Sequence, residues 1–351
     1  MKYQHSRTGT LLSRGAVIGI MFGAAGAIAG VDGHTASAEE AASGFPTACE
    51  LNELEVPEPD LDNHVSAMDP TGSYIVGFSG HTSEDIKPWL WHDGEGQYLD
   101  VPSDPSMLMA INSSGAGIGY SSADEGKNRV WMYQDGDFEE YPDLGGVPRD
   151  INDNGDFVGN DGQPYVVPAG QEEPTYLDLP DEALDGSARS INDAGTVVGR
   201  ISTGNPEEPD YEPYLWDADG NGMTLPWPDG HEDAFGYAQS IQGEWITGHV
   251  QSTGMKWHYT PEDGATAHVV EDLGSASDTS PNNVTIGTYL VDDDVYQQSR
   301  MVTPDGNVEL AGIEDEKTDT VADYVSEDAS VVAGTSSPVQ DVKHVVAWTC
   351  D

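Results

Sequence analysis

The sequence contains little positive charge, few cysteines and no long hydrophobic run after its N-terminal segment. Its 351 residues include 13 Lys and Arg against 63 Asp and Glu, which gives a formal net charge of -50. Nucleic acids and anionic membrane surfaces are bound through Lys and Arg, so this balance excludes both as default partners. The hydrophobic fraction of 37% is large enough for a packed core, so a largely disordered chain is excluded as well.

Familiar catalytic signatures are also missing. The chain has no G-x-S-x-G, H-E-x-x-H, Walker or C-x-x-C motif, and its 10 histidines are scattered singly. With 63 acidic residues, carboxylates lie near one another by chance, so no glycosidase-like pair can be selected from the sequence. The sequence therefore nominates no catalytic residue.

The N-terminal segment has the pattern of an export signal. Three cations, the last of them Arg14, precede an uncharged apolar stretch from Ala16 to Val31, and Ala36-Ser37-Ala38 offers a small-residue cleavage site. The apolar stretch is shorter than the roughly 20 residues that a membrane-spanning helix needs. We therefore expect a signal peptide over residues 1–38 and a secreted protein with no membrane span after cleavage.

The acidity of the chain favours a salt-rich environment. Like charges at this density repel one another in dilute buffer, whereas at 1 M salt the Debye length falls to about 3 Å and screens them. We therefore expect a halophilic protein that folds fully only in salt. An ordinary acidic exoprotein is the alternative interpretation.

Seven copies of one pattern fill the remainder of the chain. In the clearest copies, Asp150–Gly159 and Ser190–Gly199, an Ile-Asn-Asp segment is followed by a turn glycine and a short apolar run. Asn caps the turn through its side chain and the turn glycine accepts a positive φ, so each copy predicts a hairpin with a bulge at that glycine. The glycines that close the seven copies are Gly77, Gly119, Gly159, Gly199, Gly248, Gly287 and Gly334.

A second hairpin follows each copy, and its first strand usually carries Trp or Tyr, as in Pro88–Trp91 and Pro213–Trp216. Seven repeats of about 40 to 49 residues with four short strands each predict an all-β, seven-bladed β-propeller over residues 39–351, forming a single domain. The even recurrence of the Trp and Tyr strands indicates an aromatic core between blades.

The two ends of the chain should complete one blade together. The last repeat has only three strands, and Leu54–Pro57 near the N-terminus resembles the fourth strand of the other repeats. This alignment places Cys49 and Cys350 at neighbouring positions of a broken hairpin turn. Two cysteines in an exported protein usually pair, so we expect a disulfide that closes the ring.

The Ile-Asn-x-x-Gly-x-Val-Val-Gly element followed by a Tyr, Leu or Trp strand resembles the HAF repeats of bacterial and archaeal extracellular proteins. The resemblance covers roughly residues 45–351 and is most specific in the second to fourth copies. It weakens at Ile241–Glu244 and Pro281–Asn283, where the turn glycine is displaced or absent. The resemblance implies a secreted propeller and supplies no catalytic residues.

The longest connections should lie on the face opposite the tight turns, where binding sites commonly form. They are predicted over Ser202–Glu212, Pro226–Ala238, Tyr289–Gln297 and Ile313–Ala322. Aromatic rings among carboxylates suit a sugar or a cationic ligand, although the same rings could instead pack the long loops onto the blade. The aromatic candidates for the ligand face are Tyr211, Trp227, His231, Phe235 and Tyr237.

One segment resembles half of a calcium loop. Asp217, Asp219 and Asn221 occupy the first three ligand positions, and Gly222 takes the required glycine position. The match fails further on, where Leu225 and Pro228 replace the later ligands, and the segment coincides with a hairpin turn of the repeat. A calcium site and an ordinary turn both remain open.

The function that the sequence favours is a secreted, monomeric binding module without cofactor. Its ligand would be a glycan or a cell-surface protein. The alternative is an exported glycan hydrolase or lyase with its site at the mouth of the propeller channel. Desolvated carboxylates at that mouth would favour the enzyme, and an aromatic patch without them would favour binding.

Overall fold

Each of the seven repeats folds into one four-stranded antiparallel sheet in the computed structural model of the chain. The structure describes residues 44–80, 85–101, 103, 105–122, 127–228, 235–291, 296–313, 318–338 and 342–351. The predicted signal peptide lies outside these residues. Within them the chain forms 28 strands and no helix, which confirms the predicted all-β, seven-bladed propeller.

Six of the blades are built from consecutive strands, ordered from the ring axis outward. Blade 1 contains β2 (Asn63–Met68), β3 (Tyr74–Ser79), β4 (Lys87–His92) and β5 (Glu95–Tyr98). Blade 2 contains β6 (Ser106–Ile111), β7 (Gly117–Ser122), β8 (Asn128–Gln134) and β9 (Asp137–Tyr141). Blade 3 contains β10 (Val147–Ile151), β11 (Phe157–Asn160), β12 (Pro164–Val167) and β13 (Thr175–Tyr176).

Blades 4 to 6 follow the same order. Blade 4 contains β14 (Asp185–Ile191), β15 (Val197–Asn205), β16 (Glu208–Trp216) and β17 (Gly222–Thr224). Blade 5 contains β18 (Gly236–Gln242), β19 (Trp245–Val250), β20 (Thr253–Thr260) and β21 (Gly264–Val270). Blade 6 contains β22 (Ser275–Thr279), β23 (Thr285–Val291), β24 (Tyr296–Thr303) and β25 (Gly306–Leu310).

Blade 7 joins the two ends of the described chain. It contains β26 (Thr318–Val325), β27 (Val331–Pro338), β28 (His344–Cys350) and, on its outer edge, β1 (Cys49–Glu53). The sequence predicts Leu54–Pro57 as this outer strand, whereas the structure has β1 directly before that segment. The outermost strand of the other blades likewise ends just before the Leu-Asp-Val-type segment of its repeat. Cys49 and Cys350 lie directly opposite each other in this pair and form a disulfide, as predicted.

The ring closes because neighbouring blades pack against each other all the way round, with β2 of blade 1 lying against β26 and β27 of blade 7. The large side chains of the third strands fill the spaces between blades, which confirms the predicted aromatic core. Three indole N–H groups donate to backbone carbonyls that follow the outer strand of the preceding blade, at 2.8 Å each: Trp216 to Asp178, Trp257 to Pro226 and Trp348 to Ala311. The fully buried tryptophans are Trp89, Trp131, Trp216, Trp257 and Trp348.

Every innermost strand contains a bulge, but the bulge does not lie at the turn glycine where the sequence placed it. In blade 4 the register shifts between Ala188 and Ser190, ahead of the turn, so that Arg189 is the extra residue. The same shift recurs in all seven blades. The bulged residues, in blade order, are Ser66, Met109, Arg149, Arg189, Gln239, Ser277 and Asp323, and are called the channel ring below.

The bulge explains why each repeat closes with glycine. It turns a carbonyl oxygen of the innermost strand, such as that of Ser187, towards the closing glycine of the second strand. A Cβ on Gly199 would lie within 3.0 Å of the Ser187 oxygen, and a Cβ on Gly334 would lie within 3.0 Å of the Val321 oxygen in blade 7. Side-chain carbons do not approach so closely in proteins. The position therefore excludes every residue with a side chain.

The motif asparagine links one blade to the next. In Asn152 the side-chain oxygen accepts the N–H of Asp156 at 2.8 Å, which confirms the predicted turn cap. Its amide nitrogen donates to the carbonyl of Asn192 in the next blade at 3.0 Å. The corresponding amides of Asn112 and Asn192 donate onward to Asn152 and Gly243, at 3.0 and 2.7 Å. The motif thus joins blades 2 to 5 on the turn face of the ring.

The four predicted loops contain more regular structure than expected. Tyr289–Val291 and Tyr296–Gln297 pair in β23 and β24, and the ends of the other two loops, from Gly236 and from Thr318, begin β18 and β26. Ser202–Glu212 belongs to β15 and β16, which extend together as a long hairpin beyond the blade and turn between Asn205 and Glu208. Alternating cross-strand pairs, including Ser202 with Tyr211, hold this extension together. No helix within the described segments has the length and apolar character needed to cross a membrane.

Candidate functional site

The channel ring lines a cavity of about 310 Å³ at the axis of the propeller. The cavity extends from the bulges towards the tight turns, where residues such as Asn152 and Asn192 complete its wall. It therefore lies towards the turn face, whereas the sequence placed the ligand face on the side of the long connections. A polar cavity on a rigid ring of sheets is the usual setting of a small-molecule site.

The channel ring distributes charge unevenly around the axis. Arg149 and Arg189 occupy the adjacent blades 3 and 4, and Asp323 occupies blade 7. Going round the ring, two blades separate Asp323 from the arginines on either side, so the acid faces the arginine pair across the cavity. The four intervening positions are uncharged: Ser66, Met109, Gln239 and Ser277.

Neither of the two channel arginines pairs with a carboxylate of the described residues. The ion pairs in the part of the chain that the structure describes involve other cations, such as Arg300 with Asp272 and Glu309. Arg189 donates one hydrogen bond to the side-chain oxygen of Gln239 at 2.8 Å, while its Nε is buried without a partner. Burial, followed by repulsion from Arg149 and Arg200, lowers the pKa of Arg189.

Two carboxylates in the cavity wall have structural partners. Asp150 accepts hydrogen bonds from the hydroxyl of Ser190 at 2.7 Å and the N–H of Ile191 at 2.9 Å, both in the next blade. Asp278 likewise receives the hydroxyl of Ser240 at 2.6 Å and the N–H of Val325 at 2.9 Å. Burial raises the pKa of both acids, that of Asp278 to about 6. Each of these acids joins inner strands of neighbouring blades.

Asp323 differs from these two acids. Burial raises the pKa of its carboxyl to about 7, opposed only by the positive charge of Lys343. No hydrogen bond to this carboxylate forms among the described residues, and its neighbour Tyr324 donates instead to the carbonyl of Ser66 in blade 1. Asp323 is therefore a half-buried acid in the cavity wall that accepts no hydrogen bond from the described residues.

The turn face around the cavity is acidic. Glu327 lines the cavity, is exposed and lies near Asp69, Asp153, Asp193 and Asp328. Burial of its inner part and the charges of these neighbours raise the pKa of Glu327. A ligand that approaches from this face thus crosses a negative rim before it reaches the arginines.

The predicted aromatic candidates do not form one open patch. Arg200 lies over the rings of Tyr211 and Tyr237, with its Cζ 4.1 and 5.1 Å from their centroids, and Arg189 approaches Tyr237 at 5.6 Å. Trp227 packs onto the core of blade 5. These contacts support the alternative that the rings pack against the blades.

Of the remaining two candidates, only Phe235 belongs to the described residues. Phe235 is 48% exposed, so its ring is accessible to a ligand. His231 lies outside the described residues. The structure therefore brings Tyr211 and Tyr237 together around Arg200, with Tyr237 also near Arg189, whereas Trp227 packs against the core of blade 5.

The segment that resembles a calcium loop forms a closed turn. Asp217 accepts the N–H groups of Asp219 and Asn221 at 3.0 and 2.8 Å, and the side-chain amide of Asn221 contacts both its carboxylate oxygens. These hydrogen bonds lower the pKa of Asp217. No group of three or more His, Cys, Asp or Glu side chains within the described segments could hold a metal ion. The donor set does not fit calcium, and an ordinary turn explains the sequence.

The channel ring was not predicted from the sequence, although the repeat carries a positional signal for it. Each bulged residue stands three positions before the residue that caps the turn, as Arg189 stands before Asn192. This position carries five residue types among seven copies, while the surrounding pattern repeats. A search for variable positions inside the repeat would have found it.

No protein-family model and no curated protein sequence matches the chain. Solved structures share its fold. A prolyl endopeptidase aligns with a TM-score of 0.52 and 13% identity, over 84% of this chain and 51% of that chain. Dipeptidyl peptidase 4 of Porphyromonas gingivalis aligns at 0.48 and 12%, over 85% and 55%. Regucalcin, a calcium-binding protein of Agrobacterium tumefaciens, aligns at 0.42 and 12%, over 87% and 96%.

This chain spans about half the length of the two peptidases to which it is similar. At such identities the likeness shows the propeller fold alone, and the same fold carries many unrelated functions. The function must therefore be argued from the channel.

Proposed function

We propose that the protein is a secreted binding module whose central channel holds an anionic group of a small ligand between Arg149 and Arg189. One observation carries the proposal: in a chain of net charge -50, these two arginines line a cavity and form no ion pair with any carboxylate in the part of the chain that the structure describes. With acids in such excess, cations left unpaired at one place favour an external anion as their partner.

The chemistry of arginine supports this assignment. A guanidinium group presents several donors in a plane and can bind a carboxylate through two hydrogen bonds at once. The buried, unpartnered Nε of Arg189 would gain such a bond, and the anion would offset the repulsion that Arg149 exerts on Arg189. Both gains vanish for a neutral ligand, so the site favours a carboxylated one, including an acidic sugar.

Several features support a secreted, salt-adapted protein. The disulfide between Cys49 and Cys350 is typical of an oxidising compartment. The N-terminal pattern of an export signal and the resemblance to HAF repeats favour the same location. We further propose that the chain is related to the HAF-repeat proteins, acts as a monomer, and requires salt because of its net charge of -50.

Calorimetric titration with small organic carboxylates tests the proposed site. The full-length protein is titrated at the lowest salt concentration at which circular dichroism still reports complete folding. The double variant Arg149→Gln/Arg189→Gln should lower the affinity at least tenfold, because two charged hydrogen-bond donors are lost. Arg129→Gln on the exposed side of β8 is the matched control and should change nothing. Equal affinities in parent and double variant would contradict the proposal.

A second candidate is an exported glycan hydrolase or lyase with its site in the same channel. The observation that favours it is Asp323, whose raised pKa of about 7 suits a general acid. If the protein is such an enzyme, the parent releases reducing ends or unsaturated products from a panel of polysaccharides and Asp323→Asn does not. Binding of a saccharide without any product in the parent would sink this candidate.

A further inference from the structure

We infer that the channel ligand is dipolar, with an anionic group held by Arg149 and Arg189 and a cationic group held by Asp323 on the opposite wall. This inference rests on the proposed function and specifies the class of its ligand. The class of small molecule that carries both charges is the amino acids and short peptides.

The symmetry of the ring supports the inference. In a seven-membered ring, one position lies directly opposite the midpoint of a neighbouring pair, and Asp323 stands in that relation to Arg149 and Arg189. The positions of the channel ring between them are uncharged on both sides. At the level of the channel ring the wall therefore presents opposite charges on two sides of one axis, while the carboxylates of Asp150 and Asp278 in the same wall are held by hydrogen bonds from neighbouring blades.

The availability of Asp323 distinguishes it from the other acids of the channel. Asp150 and Asp278 accept backbone and hydroxyl hydrogen bonds from neighbouring strands, so their roles in the fold are evident. The carboxylate of Asp323 receives none among the described residues, although it is half-buried and only the charge of Lys343 offsets its desolvation. A carboxylate partly removed from water without hydrogen-bond donors is unfavourable for folding. An ammonium group of a ligand would compensate it.

The charge of the whole protein also favours a dipolar ligand. A simple anion must approach a molecule of net charge -50 and cross the acidic rim around Glu327. A molecule with one positive and one negative group carries no net charge, so the long-range repulsion disappears while both short-range contacts remain. The cavity of about 310 Å³ has the volume for one small molecule and does not suit a polymer.

The test compares matched pairs of ligands by calorimetric titration of the full-length protein. Each ω-amino acid from glycine to 6-aminohexanoate is paired with the carboxylate of the same chain length that lacks the amino group. We expect at least one ω-amino acid to bind at least tenfold tighter than its carboxylate counterpart. The best chain length reports the distance between the charged walls.

Variants separate the two ends of the ligand. Asp323→Asn should abolish the tenfold preference and retain carboxylate binding, whereas Arg149→Gln/Arg189→Gln should abolish both. Asp137→Asn, which removes an exposed acid on β9, is the matched control and should retain the preference. If Asp323→Asn fails to fold, Asp323→Glu provides the same test, since its longer side chain should shorten the preferred ligand by one methylene.

The outcomes distinguish this inference from the proposed function. Equal binding of amino acids and carboxylates, with no effect of either substitution at Asp323, would overturn the dipolar ligand and leave the anion site intact. Absence of binding for every carboxylate and amino acid would overturn both.

Discussion

Two positions of the repeat, one on the innermost strand and one on the second strand of each blade, lie close together and differ in how much their residue type varies. The closing glycine is the same in all seven blades, whereas the bulged residue of the channel ring takes five identities. In blade 4 the pair is Gly199 and Arg189, and in blade 7 it is Gly334 and Asp323. The glycine makes room for the carbonyl that the bulge displaces, so it serves the backbone. The bulged residue lines the cavity, so its side chain can contact a ligand there.

The difference shows how a repeat protein can separate stability from function. A requirement of the backbone recurs in every blade and therefore appears in the sequence as a repeat. A ligand contacts each blade differently, so its requirements appear as departures from the repeat. If this separation holds, changes at the recurring features should destabilise the protein, and changes in the channel ring should alter binding.

The largest loss of stability is expected where the ring is closed covalently. Cys350→Ser removes the disulfide with Cys49, which spans a sequence separation of 301 residues. Loop-entropy arguments give a loss of about 5 kcal/mol in the free energy of unfolding. Chemical denaturation of parent and variant measures it, and the parent under reducing conditions serves as the control. An unchanged midpoint would show that strand pairing alone closes the ring.

The closing glycine should show the next largest effect. Gly199→Ala places a Cβ against the carbonyl oxygen of Ser187, and the strained packing should lower the free energy of unfolding by about 3 kcal/mol. Gly274→Ala is the control, since its Cβ would meet only ordinary contacts at 3.6 Å. Similar melting temperatures for the two variants would contradict the explanation that the bulge requires a glycine at this position.

The motif asparagine should show a smaller effect. Asn152→Ala removes the turn cap to Asp156 and the donation to Asn192 in the next blade, with an expected loss of about 2 kcal/mol. Asn154→Ala, in the same turn, removes one exposed hydrogen bond and should lose less than 1 kcal/mol. Thermal melts of the two variants compare them. Both variants lose a hydrogen bond to the next blade, so an equal loss would mean that the part-buried bonds of Asn152 contribute no more than the exposed bond of Asn154 to Asp193.

A substitution in the channel ring should raise the stability of the protein, unlike the three substitutions above. Folding raises the pKa of the Asp323 carboxyl to about 7. Above that pH the ionised carboxylate therefore lowers the free energy of unfolding, whereas below about pH 4 the acid is protonated in both states and has no such effect. Asp323→Asn should therefore stabilise the protein by about 1 kcal/mol at pH 8 and have little effect at pH 4. Melting temperatures across this pH range provide the measurement. Destabilisation at pH 8 would assign Asp323 to the scaffold instead.

The sequence contained most of the fold because the fold is periodic. The closing glycines and the Trp strands recur at nearly equal spacing, and this recurrence predicted the number of blades and the pairing of Cys49 with Cys350. The strand bounds were less accurate. Nothing in Ser202–Glu212 distinguishes a long loop from the extended hairpin of β15 and β16, because polar alternation suits both.

The channel could not be predicted in the same way. Arg149, Arg189 and Asp323 meet only after the ring closes, and no short motif joins residues from blades 3, 4 and 7. Their shared register depends on the bulge, which the sequence placed at the turn glycine. The aromatic candidates drew attention instead, although Tyr211 and Tyr237 lie against arginines.

Crystals of the full-length protein soaked with a brominated small carboxylate test the site most directly. The anomalous signal of bromine locates the anion without any assumption about affinity. We predict a peak at the propeller axis, with the carboxylate within hydrogen-bond distance of Arg149 and Arg189. A peak only on the outer surface, with none in the channel, would contradict the assignment of the channel as the binding site.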